Sequence, residues 1–214
     1  MNEHIPDDLN LFMMCEKLNN EALSELPPEY HVRNCRKNEL EIWKAIHFDD
    51  PEQAKEYSGF MDQYFTDVYG KKEELFFRKC LFVCDVDDIP IATCFAWKAY
   101  DKITTLHWFK VVKRHEGKGI GRALLSIVMK ELKEEDYPVF LHTQPGSYRA
   151  IKLYSDFGFS LLTDDEIGFR KNHFKQCLPI LKTYMLHDAF GKLTTAKAPQ
   201  FFLEAVKSST INQF

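Results

Sequence analysis

No apolar run in this sequence approaches the ~18 residues that a membrane-crossing helix needs. The opening stretch, MNEHIPDDLN, lacks the basic-then-apolar order of a secretory leader. A cytoplasmic protein with no membrane partner is the expectation. Charge of one sign is also missing: 28 Lys and Arg stand against 32 Asp and Glu, a net charge of -4. Such a balance gives no general attraction to nucleic acid. Cysteine is scarce, with six residues at irregular spacing and no CxxC pair. No histidine stands at ligand spacing from a cysteine pair, so neither structural disulfides nor a metal site are expected. Glycine numbers only nine in 214 residues, and repeats and low-complexity tracts are absent.

Against that sparse glycine background, three glycines fall within five residues. They lie in HWFKVVKRHEGKGIGRALL (107–125), which reads as a strand, a tight bend and a helix start. The other abundance is aromatic: 18 Phe and nine Tyr suit a large core, an aromatic-lined pocket, or both.

Along the chain, residues 1–28 read as an N-terminal extension with an apolar patch at Leu11–Met14 and a short helix over 19–25. Strand and helix patterns follow at 30–35 and 38–46. PEQAKEYSGFMDQYFTDVYG (51–70) reads as one helix, with Asp50 as cap, Pro51 in its first turn, and a stripe of Tyr57, Phe60, Tyr64 and Phe65. Apolar runs at 80–86, 91–100 and 104–112 form an antiparallel meander. Helix 122–134, strand 137–143, helix 147–157 and a strand within 158–169 then make two β-α-β units. Residues 172–214 suggest a late strand or short helix and a loop.

Closely spaced glycines bring backbone N–H groups near a ligand, and the free N–H groups of the following helix favour an anion. The Walker A pattern fails because Lys118 is followed by Gly119 rather than a hydroxyl residue. The dinucleotide pattern fails because the spacing is GxGxG and the loop follows a hairpin. A plain strand-to-helix connection remains the alternative.

The sequence resembles the GCN5-related N-acetyltransferases (GNAT). EGKGIG (116–121) stands where that family carries its coenzyme A signature, with Val111 five residues ahead, and SYRAIKLYSDFGF (147–159) matches a second signature through Ala150, Tyr154, Gly158 and Phe159. Two departures are Glu116, where Gln or Arg is usual, and Ser147, where Asn is common. The resemblance implies an α/β fold with a mixed, mostly antiparallel central sheet flanked by helices. It places the acetyltransferase domain at 29–171, with 172–214 packed on the same domain.

It further implies acetyl transfer from acetyl-CoA to an amine acceptor, without a metal, by a monomer or homodimer. Phe109, Lys110 and Val111 would grip the pantetheine, with Lys113 leading into a pyrophosphate loop of Glu116, Gly117, Lys118, Gly119, Ile120, Gly121 and Arg122. Ser147 and Arg149 would meet the coenzyme from the next helix start, although Arg149 also suits a surface ion pair. Tyr154 would be the general acid, or else a packing residue beside Phe157 and Phe159. Strand alternation puts His107 on the face of Phe109 and Val111 unless a bulge intervenes, which makes it a candidate base or a core histidine. His142 is a second candidate. Tyr57, Phe60, Tyr64 and Phe65 would shape the acceptor pocket, with Asp62 and Asp67 near it. A peptide N-acetyltransferase and a non-catalytic acyl-CoA-binding module are the alternatives.

Overall fold

A computed structural model describes residues 5, 6 and 8–214. The first half contains β1 (Leu11–Cys15), β2 (His31–Asn34), α1 (Leu40–Ala45), α2 (Pro51–Glu56), α3 (Ser58–Val68) and α4 (Glu73–Lys79). The meander follows as β3 (Leu81–Cys84), β4 (Pro90–Ala99) and β5 (Ile103–Val111). Then come α5 (Ile120–Lys130), β6 (Val139–Thr143), α6 (Tyr148–Asp156), β7 (Phe159–Leu162), and the small hairpin β8 (Glu166–Ile167) and β9 (Arg170–Lys171). The chain finishes with α7 (Phe174–Tyr184), α8 (His187–Gly191), β10 (Thr195–Ala196) and α9 (Gln200–Lys207).

Among the described residues an eight-stranded sheet runs in the order β10-β7-β1-β6-β5-β4-β3-β2. The β5–β6 and β10–β7 pairs are parallel and the others antiparallel. The expected mixed, mostly antiparallel sheet is what forms. Side chains alternate across it: Leu81, Val83 and Cys94 join the core beneath α5 and α6, while Phe82, Cys84, Phe95 and Trp97 join an aromatic core with Trp43, Phe65, Tyr69 and Phe76. The six cysteines are free and buried among these cores.

Several elements differ from the sequence reading. The apolar patch of the N-terminal extension is β1, paired with β6 on one side and β7 on the other. All five of its residues are buried, so it shows no alternation. Residues 20–22 form only a 3-10 turn. The helix expected over 51–70 breaks at Tyr57 into α2 and α3. Ser58 donates its hydroxyl to the Lys55 carbonyl at 2.8 Å, and Gly59 follows with little preference for helix. Asp50 caps α2 as expected, accepting from the Glu52 N–H at 3.0 Å. Residues 172–214 are mainly helical: Cys177 and Leu181 of α7 and Phe202, Ala205 and Val206 of α9 are buried in the sheet's cores.

Candidate active site

β5 and β6 touch only where Thr104 meets Val139 and Thr105 meets Phe140. Beyond that the strands part, and the wedge between them is lined by Leu106–Phe109 and by residues 141–144. On the β4 side, Phe95 faces His107 but Thr93 faces Lys110, so two β5 residues, Trp108 and Phe109, oppose one β4 residue, Cys94. Trp108 takes the left-handed conformation, φ 53°, at this bulge. The alternation slips there: Leu106 and Phe109 pack with one core, Trp108 with the other.

Beyond the bulge, a cavity of about 1040 Å³ runs along β5, the glycine loop and the start of α6. Gly117 (φ 77°) and Gly119 (φ 81°) are left-handed, a conformation that favours glycine. Gly121 is needed for proximity, since a Cβ there would lie 3.1 Å from Phe109 Cζ and 3.4 Å from Val111 Cγ2. The backbone N–H groups of Gly117, Lys118 and Gly119 meet no acceptor among the described residues. They sit at the N-terminus of α5, where the helix dipole adds to an anion site.

Phe109, Lys110, Val111, Lys113, Glu116, Gly117, Gly119, Gly121, Arg122, Ser147 and Arg149 all line this cavity; Lys118 and Ile120 do not. Ile120 is instead buried in the core under the loop. Arg122 is already engaged, donating to the Ala22 carbonyl at 3.1 Å and pairing with Asp156. Lys110 Nζ pairs with Asp49 at 2.8 Å. The Glu116 carboxylate accepts from Arg149 Nη1 at 2.7 Å. An acid beside an anion site is thereby matched by a cation one helix away.

A second cavity, about 730 Å³, fills the wedge on the other side and shares Phe109, Ser147 and Ala150 with the first. Phe60 and Tyr64 of the expected aromatic stripe line it, and so does Asp67. Tyr57 instead stacks on Phe48 at 5.4 Å, and Phe65 is buried in the aromatic core. Asp62 turns to Lys44. Residues 210–212 and Phe214 cover the cavity, held by the Tyr64 hydroxyl donating to the Gln213 carbonyl at 2.9 Å.

Tyr154 projects from α6 into the cavity, with its ring 5.7 Å from Phe109 and 5.8 Å from Phe159. Its hydroxyl has no hydrogen bond among the described residues and is not sealed from the cavity. Burial raises its pKa above the ordinary phenol value, so the group stays protonated.

His107 stands on the opposite face from Phe109 because the bulge intervenes, which corrects the same-face expectation. Its Nδ1 accepts from the Tyr69 hydroxyl, and its Nε2 bonds the Thr105 hydroxyl at 2.7 Å, so neither nitrogen is free. Burial lowers its pKa to about 3. His142 differs. Asn10 donates through Nδ2 to the Lys171 carbonyl and presents Oδ1 to His142 Nε2 at 2.9 Å. That bond puts the ring proton on Nε2 and leaves the Nδ1 lone pair without a partner among the described residues. Burial, aided by the Arg170 charge, lowers its pKa to about 3.

Sequence reasoning missed Arg170 and the cavity's cover. No short-range pattern marks either, because a two-residue hairpin and a terminal segment reach the wedge only through tertiary packing. One His/Cys/Asp group exists among the described residues, His31, Cys84 and Asp88. Asp88 there already pairs with Arg33 at 2.6 Å and Arg36 at 2.8 Å, which opposes a cation.

Residues 40–159 match the model of the Acetyltransferase (GNAT) family. No curated protein matches the chain. Among solved structures, one from Pyrococcus horikoshii OT3 is 23% identical with a TM-score of 0.51, covering 65% of this chain and 94% of its own. A GNAT-family acetyltransferase from Colwellia psychrerythraea is 16% identical with a TM-score of 0.49, over 71% of this chain and 52% of its own. A GCN5-related N-acetyltransferase from Sphaerobacter thermophilus is 17% identical with a TM-score of 0.40, over 63% and 42%. The chain thus spans about half the length of the latter two.

Proposed function

Because this chain belongs to the acetyltransferase (GNAT) family, we propose that it moves an acetyl group from acetyl-CoA directly to the primary amine of a small molecule or peptide. The observation that carries this reading is the junction of two cavities at Phe109, Ser147 and Ala150, with the unpartnered Tyr154 hydroxyl beside it. The larger cavity suits the coenzyme: free loop N–H groups and the α5 N-terminus face the pyrophosphate, and the unpaired edge of β5 faces the pantetheine. The Glu116–Arg149 pair sets a positive charge against the carboxylate that would otherwise stand alone beside the pyrophosphate, which supports coenzyme binding. The cover of residues 210–214 favours a small amine or a chain end over the middle of a protein chain.

In this reading the amine nitrogen attacks the thioester carbonyl, the C–N bond forms, and the C–S bond breaks. Tyr154 gives its proton to the departing thiolate, and the proton that the nitrogen sheds on becoming an amide returns through water to the Tyr154 oxygen. His142 accepts a hydrogen bond from the amine through Nδ1 and orients it. An imidazole near 3 is too weak to strip an ammonium ion, so the amine enters neutral or loses its proton through water. Localisation in the cytoplasm remains part of the proposal.

The test follows free thiol with acetyl-CoA and an amine panel. Tyr154→Phe is expected to lower kcat about 100-fold or more while leaving the KM for acetyl-CoA unchanged. A rate within twofold of the unaltered enzyme removes Tyr154 as the acid.

A further inference from the structure

Arg170 lines the acceptor cavity from β9, yet no carboxylate among the described residues pairs with it. Its Nε is sealed from solvent without an acceptor. Its guanidinium lies over the Phe12 ring at 4.8 Å and near the Phe214 ring at 5.4 Å. Both rings lie within cation–π reach of the guanidinium, contacts that use no N–H donor and so leave its Nη groups for a planar anion. A buried cation without a counter-charge is costly, and most arginines in this chain that leave the surface are matched: Arg33 pairs with Glu39 and Asp88, Arg122 with Asp156. Arg170 is the exception, and it faces the space where the acceptor would sit. The other formal charge on the lining, Asp67, is exposed and already accepts from Gln63 Nε2 at 2.9 Å.

We propose that the acceptor carries a carboxylate, which Arg170 binds through its N–H edge while the amine is presented toward Tyr154. This rests on the acetyl-transfer reading for the role of the amine, but not for the binding itself. Phe60, Tyr64, Trp108 and Phe214 around the same cavity select an apolar body between the two polar ends. The substrate class is therefore an amino acid or short peptide terminus with an apolar side chain. Arg170 sets specificity and takes no part in proton transfer. The carboxylate would also offset the charge that helps keep His142 a weak base, so occupancy of the anion position would improve His142 as an acceptor for the amine.

The experiment measures calorimetric binding, with coenzyme A present, of matched pairs: L-phenylalanine against 2-phenylethylamine, and L-leucine against 3-methylbutylamine. The carboxylated member is expected to bind about 10- to 100-fold more tightly, the range of a charge-assisted bidentate pair. Arg170→Met should abolish that preference, and Arg170→Lys should retain only part of it, both with unchanged coenzyme A affinity as the check on folding. Equal binding of each pair, no binding of either member, or a preference that survives Arg170→Met would overturn the proposal. Thiol release is scored separately. Selective binding without turnover would count against acetyl transfer and leave the anion site standing; turnover confined to the decarboxylated amines would do the reverse.

Discussion

Removing the Arg149 guanidinium leaves the Glu116 carboxylate alone at the mouth of the coenzyme cavity. Both side chains are substantially exposed, so their pairing itself is worth little. The unmatched charge acts through its repulsion of the pyrophosphate. Arg149→Ala is expected to raise the KM for acetyl-CoA about threefold at low salt, with the effect fading at high salt. Adding Glu116→Gln should restore the KM; failure to do so would mean that Arg149 meets the coenzyme directly. A second residue-scale expectation concerns pH. With burial lowering the pKa of both His107 and His142 to about 3, neither ring should give an inflection in log kcat/KM between about pH 5 and 7.5. The profile should instead climb with unit slope, following loss of the proton from the amine. An inflection near 6.5 that vanishes in His142→Ala would restore a histidine base.

The elements explain which parts of the molecule were readable. The meander, α5 and α6 announce themselves by period and turn residues, and the glycine loop lies where the resemblance puts it. β1 does not, because LFMMC is buried on both faces and a short apolar run carries no period. The face of His107 was unreadable because one bulged residue, Trp108, inverts the alternation, and nothing in TTLHWFKVV signals that insertion. Arg170 was unreadable for a similar reason: its importance lies in what fails to pair with it. Gly158 shows how a motif glycine can serve packing between elements. At φ 97° a Cβ there would lie 2.6 Å from the Lys17 carbonyl, in the segment leaving β1. Gly158→Ala should cost about 2–3 kcal/mol in urea unfolding. On the β2–α1 side, burial alone would raise the Glu39 carboxyl, but the Arg33 fork at 2.7 and 2.8 Å and the Arg36 N–H outweigh it and hold it below its ordinary range. A depressed folded-state pKa stabilises above the unfolded value, near 4.3, and the benefit is lost as pH falls through the folded value. The thermal midpoint of Glu39→Gln should therefore fall less steeply with acid than that of the unaltered protein.

At the scale of the whole molecule, β1 is the piece on which both halves of the sheet depend. It bridges β6 and β7, which are otherwise not neighbours, and Asn19 continues the tie by donating to the Phe157 and Asp156 carbonyls at 3.1 and 2.9 Å. Removing residues 1–16 should abolish a single cooperative unfolding transition, whereas an intact transition would show the strand to be dispensable. The same placement has a consequence for how the protein is made. β1 leaves the ribosome well before its two partners, which end at residues 143 and 162. At about 5–20 residues per second, its apolar stretch waits on the order of ten seconds before its slot exists. A five-residue buried strand is thus also a nascent-chain liability, a natural binding stretch for a chaperone until the sheet closes around it.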